Sequence, residues 1–426
     1  MLFLLVLGAA CVPPKPAAAP ASVQLQSFEY AWKRVHESHH DPDMGGLDWQ
    51  AIHDELVGDA RAAQTNKELR PILSDMLGRL EASHFQVVPS DIYEAGYKDK
   101  RSGSGLSASG TVGMEVRWVE GALRISRVLP GGPAETGGLR LGDVVAGIDD
   151  VNLEELVARA REAHQPDGFA ARAAARALAG PSGADVALSI VSGKDGASSE
   201  IVLTRVESTG QVVQLGFLPP ITVVFEHELA REGVGLIRFN VFMHPVGSRF
   251  TEAMIDLLDQ EAQAIVVDLR GNPGGVVAMI MGMAGHFVGT PGQSLGRITQ
   301  RQMDLELRIN PRHPAQRTNG PVAILVDGLS ASTSEVFAAG LQGLGRARIF
   351  GTRSAGMALP SIFEALPNGD GLQFAIGDLH GPTGVRLEGQ GVTPDEVVPL
   401  TAAALEAGRD PALEAALAWI ESELHP

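Results

Sequence analysis

Val326-Asp-Gly-Leu-Ser-Ala-Ser-Thr-Ser-Glu-Val-Phe-Ala-Ala-Gly340 decides how this chain is read. An apolar run, Val322 to Val326, leads into small hydroxyl-bearing residues. A helical pattern follows, with Val336, Phe337 and Leu341 on one side. The stretch therefore predicts strand, tight turn, helix. A serine in the turn, Ser332, then stands at a helix N-terminus, where free N–H groups and the helix dipole favour negative charge. A nucleophilic serine needs that setting, because its attack creates an oxyanion. The alternative is an N-cap: Ser332-Thr-Ser-Glu335 also fits a capping box.

Working outward, the 426 residues are enough for several domains and a large core, and the Gly-rich, 44% apolar composition suits a globular α/β protein. A net charge of −17 argues against nucleic acid and against an anionic membrane surface as partners. The single cysteine, Cys11, follows the apolar run Met1 to Ala10 and ends Leu7-Gly-Ala-Ala-Cys11. That run is too short to span a bilayer. It resembles a bacterial lipoprotein signal, with cleavage before Cys11 and lipid on its sulfur; an ordinary signal peptide is the alternative. Val12 to Ser22, rich in Pro and Ala, reads as a flexible tether. No disulfide can form within the chain.

From Phe28 to Leu80 the pattern is helical. Phe28, Trp32 and Val35 recur at helical spacing, as do Leu69, Ile72, Leu73, Met76, Leu77 and Leu80, with a helix start at Asp48. His36, His39 and His40 lack an acidic or cysteine partner at ligand spacing and read as a solvated helix end, not a metal site. Leu80-Glu-Ala-Ser-His84 then turns into a strand. Tyr93 to Ser109 is polar and Gly/Ser-rich and marks a boundary. Four units follow from this pass: a signal and tether over 1–22, a helical domain over 23–105, a strand-rich domain over 106–215, and an α/β core over 216–426. In the last, Ala264-Ile-Val-Val-Asp-Leu269 reads as a buried strand and Val276 to Phe287 as an apolar helix. Strands alternating with helices imply a mainly parallel sheet. No phosphate loop, zinc-spaced Cys/His set or HExxH motif occurs, so neither cofactor nor metal is expected.

Val128-Leu-Pro-Gly-Gly-Pro-Ala-Glu-Thr-Gly-Gly-Leu-Arg-Leu-Gly-Asp-Val-Val-Ala-Gly-Ile148 resembles a PDZ domain of the bacterial protease type. The resemblance puts Thr111-Val-Gly-Met114 at the carboxylate-binding loop, where Thr111, Val112, Gly113 and Met114 would hold a peptide C-terminus while the peptide adds a strand. A PDZ domain acting only as a spacer or lid is the alternative.

Taken in order, Leu80-Glu-Ala-Ser-His84, the PDZ pattern, Asp268-Leu-Arg-Gly-Asn-Pro-Gly-Gly275, the Ser332 turn and Gly391-Val-Thr-Pro-Asp395 resemble the C-terminal-processing (tail-specific) and tricorn protease family. The resemblance runs from Phe28 to Val398. It implies a crotonase-like (ClpP/crotonase-type) α/β core, a PDZ domain and a helical N-terminal domain. It also implies Ser332 as nucleophile, with oxyanion donors from Thr333 and from Gly274 or Gly275.

One departure decides the branch. Tail-specific proteases carry a lysine base in a loop after the serine. Here that loop reads Thr352-Arg-Ser-Ala-Gly-Met-Ala358, with Met357 at the lysine's place, and no lysine follows Lys194. Arg353 does not replace it, since a guanidinium stays protonated. The tricorn-like branch instead uses a histidine just before the PDZ domain. Ser83-His84 matches that position, and an imidazole is a suitable base at neutral pH. The same resemblance offers Glu388 as the carboxylate that orients the histidine and Ser83 as its support.

The expectation is a serine endopeptidase of the cell envelope, lipid-anchored, periplasmic or secreted, acting on polypeptides. A binding protein that has lost catalysis and an esterase using the same serine are the rival readings. The oligomeric state is not legible in the sequence.

Overall fold

The computed structural model describes residues 22–90, 109–153, 155, 158, 168–214 and 220–425. Cys11, the tether before Ser22 and the expected boundaries at 105/106 and 215/216 lie outside them.

The core is a six-stranded sheet that follows chain order: Phe225–Arg231, Val234–Phe239, Ala264–Asp268, Val322–Val326, Arg348–Gly351 and Glu396–Val397. The first pair is antiparallel and the others are parallel. Its central strands are buried on both faces, so they read as unbroken apolar runs. Alternate residues serve opposite layers. Ile265, Val267, Ile324 and Val326 face the helices Val246–Asp259 and Thr333–Gly343. Ala264, Val266, Ala323 and Leu325 face the C-terminal helix Pro411–Leu424 through Ala416 and Ile420.

The expected apolar helix from Val276 to Phe287 is shorter. It runs Met279–Met283 and ends in a 3-10 turn, Ala284–His286. The cause is upstream: the Val276 N–H donates to the Phe242 carbonyl at 2.7 Å, which holds the glycine loop extended before any helix can start.

Three N-terminal helices, Val23–Ser38, Trp49–Ala62 and Asn66–Gly78, begin at the side-chain caps Ser22, Asp48 and Thr65. They bury Phe28, Trp49, Leu69, Leu73 and Met76, but do not close that core alone. A hairpin from the far end of the chain, Ser361–Ala365 with Gly371–Ala375, adds Leu366, Leu372 and Phe374 to it. The strand Gln86–Val88 pairs with this hairpin. Ion pairs from Arg34 to Glu364 (2.6 Å) and from Arg70 to Asp370 (2.9 Å) lock the join. This interlock carries residues 83–84 onto the core. The histidines before them are not the solvated helix end expected from sequence: His39 is buried, its Nδ1 is 2.9 Å from the Asp41 carbonyl oxygen, and its ring stacks on His40 and Phe85.

The PDZ-like unit is a sheet ordered Met114–Val119, Ala122–Val128, Val144–Ile148, Asp185–Val191, Ser198–Thr204, with the helix Gly168–Leu178 packed on it. Met114–Val119 is an edge strand of this sheet. The Gly-x-Pro-Ala segment forms the expected short helix, Pro133–Thr136, with proline in its first turn.

Candidate active site

The strand Val322–Val326 delivers the turn 327–332, and the helix starts at Thr333. Ser332 sits at the junction with φ 54° and ψ −119°, a conformation that side-chain-bearing residues rarely adopt. The surroundings hold it there. Its N–H points at both the Met357 carbonyl oxygen (2.8 Å) and Glu335 Oε2 (2.9 Å). The nucleophile and capping readings are thus compatible, for Glu335 reaches back to the cap residue's backbone. Glu335 is fully buried and also accepts from Ser354 Oγ (2.6 Å) and from the N–H groups of Gly356 (2.7 Å) and Met357 (3.0 Å). Burial pushes its carboxyl above the usual range against these hydrogen bonds.

The glycine loop, residues 270–275 after the neighbouring strand Ala264–Asp268, wraps this turn. Asn272 is buried, and its carbonyl accepts from the Ala331 N–H (3.1 Å) and Ser334 Oγ (2.9 Å). Thr333 Oγ1 donates to the Gly275 carbonyl (2.8 Å). A Cβ on Gly274 would lie 2.8 Å from both Ser332 Cβ and the Thr333 nitrogen, so only glycine permits this approach. The Gly274 N–H is taken by Asn272 Oδ1 at 2.9 Å. Among the described residues, the N–H groups of Gly275 and Thr333 have no hydrogen-bond partner.

Ser83, His84 and Glu388 meet although 305 positions separate the first from the last. Glu388 Oε1 accepts the Ser83 N–H (2.8 Å), and Oε2 accepts Ser83 Oγ–H (2.9 Å). Ser83 Oγ is 2.6 Å from His84 Nδ1. The hydroxyl has one proton and gives it to Glu388, so His84 Nδ1 must be the donor to Ser83. Nε2 is then left with its lone pair, the form a general base needs. Burial, with the Arg172 guanidinium as a second cause, lowers the imidazole's pKa to about 4.

Ser332 and His84 share no direct hydrogen bond among the described residues. They are joined through the segment 352–358, which carries Met357. Met357 gives its carbonyl to Ser332, and the next residue, Ala358, donates its N–H to Glu388 Oε2 at 2.8 Å. The Met357 side chain meets the PDZ-like unit, with its sulfur 3.8 Å from Arg172 Nη1.

The loop Thr111–Met114 is folded onto its own neighbours. The Gly113 N–H donates to Thr111 Oγ1 (3.0 Å), and the Val112 carbonyl accepts from Ala134 (2.9 Å). Val112 and Met114 are buried in the core of that unit. His286 is fully buried between the Gln316 carbonyl oxygen and Thr251 Oγ1, in a structural place. Among the described residues, no group of three or more His, Cys, Asp or Glu could hold a metal ion, and no helix is long and apolar enough to cross a membrane. Sequence reasoning missed Arg172 and the full reach of Glu335. The latter had a signal, its N3 position in the capping box. The former meets Met357 from another unit of the chain and had none.

Residues 233–398 match peptidase family S41, residues 23–78 the tricorn protease C1 domain, and residues 97–167 the PDZ domain. A carboxyl-terminal-processing protease of Picosynechococcus sp. is 28% identical over 87% of this chain and 82% of its own length. The carboxy-terminal processing protease CtpB of Bacillus subtilis is 25% identical over 89% of this chain and 71% of its own. Among solved structures, a photosystem II D1 C-terminal processing protease superposes with a TM-score of 0.60 at 22% identity, covering 95% of this chain and 99% of the other. The tricorn protease superposes at 0.51 and 16% identity, over 94% of this chain and 37% of its own. A turn that presents a strained serine to a glycine loop, a PDZ domain beside it and these relatives together make the chain a member of the C-terminal processing protease family, a serine peptidase.

Proposed function

We propose that Ser332 attacks a peptide carbonyl while His84 Nε2 takes its proton, with Ser83 and Glu388 fixing the imidazole's tautomer and orientation. The Gly275 and Thr333 N–H groups receive the oxyanion, and Gly274 provides the close approach that brings them together. His84 then returns the proton to the leaving amine, and water hydrolyses the acyl-enzyme. The observation that carries this reading is the Glu388–Ser83–His84 relay, which leaves Nε2 unprotonated beside a loop whose lysine position holds Met357. Pre-aimed donors of this kind contribute about 3–4 kcal/mol each to transition-state stabilisation.

The core is of the crotonase-like type on this reading, and the substrate is a polypeptide of the cell envelope that the PDZ domain presents. Cys11 carries the lipid anchor. Hydrolysis of an unfolded polypeptide tests the reading. Wild type should release fragments with new termini, while Ser332→Ala and His84→Ala should release none above background. Turnover of ester substrates alone would favour the esterase.

A further inference from the structure

Asp327 begins the turn that ends at Ser332, and its carboxylate is shared between the two halves of the site. Oδ1 accepts the N–H of Gly271 in the glycine loop (2.9 Å) and the N–H groups of Leu329 (3.0 Å) and Ser330 (3.1 Å) in the nucleophile turn. Oδ2 faces the other way and accepts Arg117 Nε at 2.8 Å. Arg117 belongs to the edge strand of the PDZ domain, 210 positions away. The guanidinium also rests on Gly271, where an added Cβ would stand 2.4 Å from Nη2. Nη1 donates to the carbonyl of Val116 (3.0 Å) and Nη2 to the carboxylate of Glu115 (3.2 Å). Leu329, beside Asp327, packs against the PDZ hydrophobic core.

We infer that Arg117 and Asp327 are a positioning pair: the PDZ-borne guanidinium holds the carboxylate that sets the spacing between the glycine loop and the nucleophile turn, so the oxyanion hole is complete only with the PDZ domain docked. The physics is that of preorganisation. Three backbone donors converge on one carboxylate oxygen, and a charge-assisted bond on the other oxygen fixes its rotamer. A misplacement on the order of 1 Å at a reacting site costs about 100-fold in rate. This inference rests on the peptidase reading of Ser332, Gly275 and Thr333.

The test compares wild type with Arg117→Met, Arg117→Lys, Asp327→Asn and the double variant Arg117→Met/Asp327→Asn. Steady-state hydrolysis of fluorescently labelled casein is read together with amide hydrogen exchange over residues 269–275 and 327–332. Arg117→Met should lower kcat by about 10- to 100-fold with KM within about twofold. Arg117→Lys, which keeps the charge, should recover most of that loss, and the double variant should be no worse than Asp327→Asn. Exchange should quicken in both segments together. A residue that merely holds the PDZ domain in place would raise KM and leave kcat. A folded Arg117→Met with wild-type kcat and unchanged exchange overturns the inference, as do additive losses in the double variant. If Arg117→Met does not fold, Arg117→Lys and Asp327→Asn decide by the same two readings. If wild type leaves casein intact, the peptidase reading is what fails, and the exchange measurement alone judges the pair.

Discussion

Glu388 accepts from Ser83 through both of its oxygens, at 2.8 Å from the backbone N–H and 2.9 Å from the hydroxyl. This two-point grip forces the hydroxyl to donate to the carboxylate and to accept from His84. Glu388→Gln puts an amide NH2 where one oxygen stood, and Ser83 can then turn its proton toward Nδ1. The imidazole would carry its proton on Nε2 and cease to be a base. The expected loss in kcat is roughly 10³- to 10⁴-fold, the size seen when a triad carboxylate is made an amide. Ser83→Ala removes the relay without inverting it and should cost less. Steady-state kinetics on variants with unchanged melting curves checks the order.

The acid limb of activity should lie near the His84 value of about 4, well below the ordinary histidine value. Burial is the larger cause and Arg172 the second. Arg172→Gln should therefore move the limb of kcat/KM upward without restoring it to the ordinary value. The stability linkage has the same sign. The folded state favours neutral His84, so its contribution is whole above the unfolded histidine pKa and is lost as pH falls through about 4. A pH–rate profile of kcat/KM on both proteins is the check.

Glu335 holds the loop that carries Met357. In Glu335→Gln the amide nitrogen cannot accept, so at least one of the buried N–H or O–H groups of Ser332, Ser354, Gly356 and Met357 loses its acceptor. Each such orphan costs about 1–3 kcal/mol. We expect a destabilisation of about 2 kcal/mol or more in urea unfolding. Activity should fall with it, because the Met357 carbonyl that holds Ser332 moves too.

Gly274→Ala would set a methyl group 2.7 Å from the Ala331 carbonyl oxygen and 2.8 Å from the Thr333 nitrogen. The turn and the loop must separate. The φ of 96° adds strain for any side chain. Loss of an oxyanion donor costs about 10²- to 10³-fold in kcat, and a loss of that order with KM little changed is expected.

Much of this was legible because it is local. The strand-turn-helix at Ser332 shows in an apolar run followed by small residues and a 3.6-residue period. The buried parallel strands show as runs such as Ala264 to Leu269. Ser83-His84 and Glu388 could be named only by resemblance, since nothing in either segment points to a partner 305 positions away. The hairpin Ser361–Ala375 that completes the N-terminal core was illegible for a like reason. The run Leu372 to Ile376 reads as a strand, but nothing in it says which core it enters. The apolar helix after Gly275 was overestimated because its start is set by Phe242, a tertiary partner. The PDZ loop was placed by resemblance as well, and the bond from the Gly113 N–H to Thr111 Oγ1 was not legible in its sequence.

The most direct test of the account is covalent labelling by a fluorophosphonate, with the adduct located by mass spectrometry, on wild type, Ser332→Ala and His84→Ala. An adduct on Ser332 is expected in wild type and none in either variant. An adduct that persists in folded His84→Ala would contradict the histidine base, and one on any other serine would contradict the nucleophile.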